Sequence, residues 1–202
     1  MLEYARDILD HPFLYELYHT IIGANFRSRV LIQNYIRPKP GDRILDIGCG
    51  PGNMIPFLPA CDYLGVDANK SYIAAARRRY SDRGKFLCER VSQHAVHELG
   101  TFDVVLALGL VHHLEDAEAK DLFRLGHTAL KPGGRMITMD GCYVEKQSIA
   151  KRYFLSRDRG RFVRTQEQYE RLAHASFQDV RADLRHDVLR IPYTTLFLEC
   201  VS

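Results

Sequence analysis

Apolar residues recur at a helical spacing along the first 37 positions: Ile8, Leu9, Phe13, Leu14, Leu17, Ile21 and Ile22, then Val30, Leu31, Tyr35 and Ile36, with a break near Gly23. The pattern predicts a pair of N-terminal helices. Arg37-Pro38-Lys39-Pro40-Gly41 ends it, because two prolines and a glycine stop a helix and start a turn. From Arg43 the period changes. Short aliphatic runs (RILDI, YLGVD, KFLCE, FDVVLAL and GRMITMD) alternate with helix-length stretches around 53–60, 69–80, 92–99 and 115–130. Runs that are apolar on both faces and alternate with helices predict a parallel sheet covered on both sides. The rhythm breaks at the C-terminus. After a helix around 166–175, FQDVRADL and YTTLFLECV are joined only by a short link through Pro192. They can pair only as an antiparallel hairpin, since a parallel return needs about a dozen residues.

With 202 residues, 46% hydrophobic and 26% charged, the chain is long enough for one domain with a full core. This composition excludes disorder, collagen and coiled coil. No uncharged apolar run approaches the roughly 20 residues of a membrane helix. The start, MLEYARDILD, is acidic and aromatic rather than basic then apolar, so the expectation is a cytoplasmic protein with neither span nor leader. Cys49, Cys61, Cys88, Cys142 and Cys200 are scattered without C-x-x-C spacing, and they read as buried thiols in a reducing compartment with no metal site. The net charge of +3 is unevenly spread. Residues 151–164 hold six Lys or Arg against Asp158, a local +5, which leaves −2 for the rest of the chain. That balance speaks against a nucleic-acid partner.

The chemistry centres on Asp46-Ile47-Gly48-Cys49-Gly50-Pro51-Gly52, directly after the first strand. Three glycines at alternate positions allow a tight turn that brings backbone N–H groups close to a ligand at a helix N-terminus. The dinucleotide fingerprint would need glycine where Asn53 stands, and the Gly-Lys-Ser/Thr of a P-loop is absent. The second strand ends in Asp67, where an acid can accept hydrogen bonds from both hydroxyls of a ribose. An adenosine-type nucleoside is the ligand this combination implies. The alternative is that Asp46 and Asp67 merely brace turns.

ILDIGCGPG, YLGVDANKSYIAAAR, FDVVLALGLVHHLED and LKPGGRMITMD stand in the order found in the class I S-adenosylmethionine-dependent methyltransferases, which the chain resembles over residues 43–140. The resemblance implies an α/β fold, a doubly wound Rossmann-like seven-stranded sheet with the last strand antiparallel, plus N-terminal helices. It implies one domain over 1–202: a helical lid at 1–40, a cofactor-binding core at 41–140, an acceptor-side insertion at 141–165, and the C-terminal helix and strand pair at 166–202. S-adenosylmethionine would be the cofactor and S-adenosylhomocysteine its product. By position, Asp46 and Gly48 would hold the methionine end, Cys49, Gly50 and Gly52 would line the loop, and Asp67 with Ala68 would meet the ribose. Glu89, Arg90 and Val91 stand at the third-strand exit, where the adenine is contacted, and Leu108 would lie beside the transferred methyl.

For the acceptor, an oxygen nucleophile of high pKa requires a base, and His112 and His113 follow the fourth strand. Alternatively this pair starts the next helix and packs beneath the sheet edge. The [D/N/S]-P-P-[Y/F/W] signature is absent at this strand exit, which disfavours adenine-N6 and glutamine-amide acceptors. Arg157, Arg159 and Arg164, with Arg161 and Gly160, could present planar forks to a carboxylate or phosphate, or form a solvated face. Tyr15, Tyr18 and Phe26 would make a lid. The reading is a small-molecule methyltransferase with an anionic acceptor; the rivals are an RNA methyltransferase and a non-catalytic S-adenosylmethionine-binding module.

Overall fold

The fold is taken from a computed structural model, which describes residues 24–89, 99–156, 160–189 and 191–202. Helix α1 (Ala24–Leu31) continues as a single π turn over Ile32–Ile36 and stops at Arg37. Arg37 takes a left-handed conformation, and its N–H closes onto the Ile32 carbonyl just before the Pro-Lys-Pro segment. The strands are β1 (Arg43–Ile47), β2 (Asp62–Asp67), β3 (Lys85–Cys88), β4 (Phe102–Leu108), β5 (Leu130–Tyr143), β6 (Arg164–Thr165), β7 (Asp179–Arg185) and β8 (Thr195–Val201). The longer helices that follow α1 are α2 (Lys70–Tyr80), α3 (Asp116–Ala129), α4 (Ile149–Ser156) and α5 (Gln166–Ala173).

The sheet order is β3-β2-β1-β4-β5-β8-β7, with β6 adding two residues beside β5. β1 to β5 run parallel, and β8 inserts antiparallel between β5 and β7, Met139 facing Phe197 and Asp183 facing the same Phe197. The C-terminal hairpin expected from the short link is therefore present. The order reverses between β1 and β4, which opens a crevice at their C-terminal ends.

Strand residues point alternately to two apolar layers. Leu45, Val105 and Ala107 face the side closed by α3 and α5, with Phe123, Leu125, Tyr169 and Phe177. Ile44, Val104 and Leu106 face the opposite side, with Leu31, Ile36, Ile73 and Phe86. Burying side chains of this size contributes about 1.5–3 kcal/mol each, enough to explain why β4 is apolar without a break from Val104 to Leu108. On the second face Tyr35 lies flat on Phe197 with ring centroids 4.1 Å apart, and its hydroxyl donates to Asp183. Burial and that carboxylate push the Tyr35 phenol up to about 12.

The helices begin where side chains can satisfy their first N–H groups. Asn69 accepts from Ser71 and Tyr72 at the start of α2, and capping boxes start α3 (Glu115 with Glu118) and α5 (Thr165 with Gln168). Three expectations need correction. The stretch at 53–60 forms only a 3-10 turn over Ile55–Phe57, because Pro56 and Pro59 withhold two N–H donors. β5 starts upstream of GRMITMD and carries an irregularity opposite Phe102. All five cysteines are free, but Cys88 is exposed at the end of edge strand β3 and Cys61 is half-buried, so only Cys49, Cys142 and Cys200 are core thiols. Among the described residues no helix is long and apolar enough to cross a membrane, and no His/Cys/Asp/Glu cluster could hold a metal ion. The first N-terminal helix and most of the 92–99 stretch lie outside the described residues.

Candidate active site

The crevice is lined by the exits of β1, β2, β4 and β5. Gly48, Gly50 and Gly52 all have positive φ, which folds the segment after β1 into a loop that side chains would strain. Its N–H groups point inward. Those of Gly48 and Cys49 donate to the Val66 carbonyl at 2.8 and 3.2 Å, that of Gly50 to Asp67 Oδ2 at 2.9 Å, and that of Gly52 to the Cys49 carbonyl at 3.2 Å. Pro51 has none. The expected cradle of free amides at a helix N-terminus is thus absent: the amides are used to close the loop, and only a 3-10 turn follows. What the loop offers a ligand is oxygen. No described residue donates to the Gly48 carbonyl, and a Cβ built on Gly50 would meet nothing within 4 Å.

Two carboxylates flank this loop. Asp46, in β1, is buried and accepts from the Tyr63 hydroxyl at 2.7 Å. Burial drives its pKa up to about 7; the Tyr63 bond opposes the shift and the negative charge of Asp67 adds to it. Asp67, partly exposed at the end of β2, holds the Gly50 N–H with one oxygen and the Asn69 N–H, at 2.7 Å, with the other. Each oxygen keeps a second lone pair for a ligand. Cys49 departs from its expected role: its N–H is used, its side chain packs in the core against Gly65, and burial pushes its thiol far up.

Across the crevice, Leu108 ends β4 partly buried among the residues facing α1 and α2. Leu110 covers the glycine loop, and a Cβ on Gly48 would lie 3.3 Å from its methyl groups. Sequence reasoning missed this residue, as it missed Tyr63. It also missed Asp140, three residues before the end of β5, whose only signal was an acid after the apolar run GRMITM.

Asp140 is buried, and its Oδ1 accepts from the backbone N–H of His112 at 3.1 Å and pairs with His112 Nδ1 at 2.8 Å. Its Oδ2 is buried without a partner among the described residues. The His112 ring is flanked by glycines. A Cβ on Gly109 would lie 3.8 Å from Cε1, and one on Gly160 would collide with Cδ2 at 2.1 Å. Nε2, between those two ring atoms, therefore lies between the β4 exit and the acceptor-side segment. His113 is exposed, with its ring centroid 4.3 Å from that of His112.

Arg164 is a correction. It is buried, and its five N–H donors are all engaged: Nε and one Nη2 hydrogen on Asp116, and the rest on the carbonyls of Val111, Leu114 and Phe162. It ties the 160–165 segment to the β4 exit and has no fork left for an acceptor. The Phe162 N–H, donating to the His112 carbonyl at 2.9 Å, adds to the same seam. Ala68 and Glu89 are exposed beside the crevice. Tyr15, Tyr18, Arg90, Val91, Arg157 and Arg159 lie outside the described residues, and no side-chain position is described for Phe26.

Residues 44–134 match the protein family described as "Methyltransferase domain". A phosphoethanolamine N-methyltransferase of Triticum aestivum is 30% identical over 183 residues, covering 84% of this chain and 36% of the relative. A ubiquinone biosynthesis O-methyltransferase of Bradyrhizobium sp. is 38% identical over 105 residues, covering 48% of this chain and 39% of the relative. Among solved structures, phosphoethanolamine N-methyltransferase 2 of Haemonchus contortus, in complex with S-adenosyl-L-methionine, superposes with a TM-score of 0.70 at 19% identity, covering 98% of this chain and 59% of that one. The chain spans about a third of the length of the phosphoethanolamine relatives it matches.

Proposed function

We propose that this chain, which belongs to the class I S-adenosylmethionine-dependent methyltransferases, transfers a methyl group to a small anionic acceptor. The observation that carries the proposal is the polarity of the glycine loop. A loop with its amides turned inward and two carboxylates beside it suits a donor-rich ligand with an ammonium group and ribose hydroxyls, and it repels a pyrophosphate. S-adenosylmethionine fits these donors and supplies a methyl group on a sulfonium, which needs a nucleophile in line and little covalent help. Asp46 and the Gly48 carbonyl would hold its ammonium end and Asp67 its ribose. Gly50 leaves the space and Leu110 keeps out water.

On the acceptor side, Asp140 Oδ1 lies 2.8 Å from His112 Nδ1; with Nδ1 protonated toward that carboxylate, Nε2 would be the nitrogen that takes a proton from an acceptor hydroxyl, or from an acceptor ammonium to free the amine that attacks the methyl. Arg157 and Arg159 would recognise the acceptor's anionic group, and Tyr15 and Tyr18 would close over it. The relatives' names agree with small acceptors, one of them phosphorylated.

Thermal shift with S-adenosylhomocysteine and with NAD tests the cofactor, and stabilisation by NAD alone would overturn the reading. Labelled methyl transfer to a panel of small phosphorylated or carboxylated amines and phenols then tests the acceptor. Arg157→Ala and Arg159→Ala are expected to raise the acceptor KM about ten- to a hundredfold with unchanged S-adenosylhomocysteine affinity. Salt-steep RNA retention that these variants flatten would replace the small acceptor with RNA.

A further inference from the structure

The sheet ends at β3 on one side and at β7 on the other, and the two edges are finished differently. β3 is four residues long, begins at Lys85 and gives its Phe86 carbonyl to the Arg77 guanidinium, all devices that discourage a further strand. β7 runs for seven residues without proline, lysine or bulge. Apart from its ladder to β8, no hydrogen bond among the described residues uses a backbone group of Asp179–Arg185. One antiparallel neighbour leaves alternate N–H and C=O groups of a strand pointing away, and on β7 these have no partner among the described residues.

The side chains of β7 indicate what would pair there. Val180, Ala182 and Leu184 are half-buried against the layer closed by α3 and α5. Asp179, Arg181, Asp183 and Arg185 alternate with them and lie on the other face, where Asp183 meets Tyr35. The charges alternate in sign. In an antiparallel pairing with a second copy, Ala182 facing Ala182, Asp179 stands opposite Arg185, Arg181 opposite Asp183 and Val180 opposite Leu184, each twice by symmetry. Sliding the partner by two residues in either direction sets Arg181 against an arginine and Asp183 against an aspartate. The charges therefore select one register. Within one chain Arg181 reaches Asp179 at 3.0 Å and Arg185 reaches Asp187 at 2.8 Å, contacts at the surface that can be exchanged for cross-strand ones. A strand of unrelated sequence would match the backbone groups but not this pattern of signs. We propose that the free edge of β7 pairs with β7 of a second copy, giving a symmetric dimer with one sheet running through both chains. The proposal concerns assembly and is independent of the methyl-transfer reading.

Sedimentation velocity on the full chain over a concentration series is expected to show a monomer–dimer equilibrium, with hydrogen exchange at alternate β7 amides slowing as the dimer fills. Asp179→Lys and Arg185→Asp each turn an opposite-charge pair into a like-charge pair on both sides of the two-fold axis, and each should weaken the dimer about tenfold or more. An equimolar mixture of the two variants restores every pair. It should dimerise within about threefold of the wild type, a rescue that misfolding cannot mimic. Four results would overturn the proposal: a monomer at every concentration up to about 100 μM, a monomer whose β7 amides are all protected because another segment of the chain covers the edge, a dimer indifferent to both variants, or losses in the single variants that mixing does not restore.

Discussion

Asp46→Asn separates what the fold needs from what the proposed cofactor needs. In the ligand-free protein the carboxyl is buried, with one hydroxyl donor and Asp67 nearby, and its pKa rises from 3.8 to about 7. A group whose folded-state pKa is raised favours the folded state most at low pH, and that contribution is lost as pH rises through the folded value. Three units correspond to about 4 kcal/mol in full, of which about 3 kcal/mol falls between pH 5 and pH 8. Asparagine has the same shape and can still accept from Tyr63, but it carries no charge. The variant without ligand is therefore expected to match the wild type at pH 5 and to exceed it at pH 8 by about 3 kcal/mol, or roughly 6–12 °C in melting temperature for a chain of this size. Its affinity for S-adenosylhomocysteine should fall about ten- to a hundredfold, because the ammonium loses a charged acceptor. Wild-type affinity should itself weaken below pH 7, as the bound ammonium requires the ionised carboxylate. Scanning calorimetry from pH 5 to pH 8 and titration calorimetry with S-adenosylhomocysteine measure both. Identical pH dependence of stability in the two proteins, or a variant less stable at pH 8, would refute the reasoning.

Three further outcomes are expected. Asp67→Ala should weaken S-adenosylhomocysteine about ten- to a hundredfold in titration calorimetry and also lower the melting temperature, since the Gly50 and Asn69 N–H groups lose their acceptor; Asp67→Asn should restore part of the stability and little of the affinity. Arg164→Ala should cost about 3 kcal/mol in denaturant unfolding by stranding the carbonyls of Val111, Leu114 and Phe162, and Arg164→Lys should not recover it because an ammonium cannot span the same acceptors. Gly160→Ala places a methyl 2.1 Å from His112 Cδ2 and 3.0 Å from its carbonyl oxygen, so kcat should drop about tenfold or more while cofactor affinity stays, as single-turnover kinetics will report.

Features set by local periodicity and chain connectivity were legible in the sequence. Alternation of apolar runs with helical stretches determined the parallel sheet, because a strand buried on both faces cannot afford polar residues. The short link through Pro192 determined the antiparallel end, because the chain cannot cross back within it. The three glycines and Asp67 marked the crevice because positive φ and a strand-end acid are written in single residues. The direction of the loop amides was not legible: only the spatial neighbours Val66 and Asp67 turn them inward and convert an apparent anion cradle into a surface of acceptors. Nor was the partnership of His112 with Asp140, 28 residues away, which exists because β4 and β5 are adjacent in the sheet. Arg164 looked like one more fork in a basic loop, and tertiary structure alone made it a buried clamp on the β4 exit. Residue type states what a side chain can bond to, and in a buried site the fold decides which of those bonds are already made.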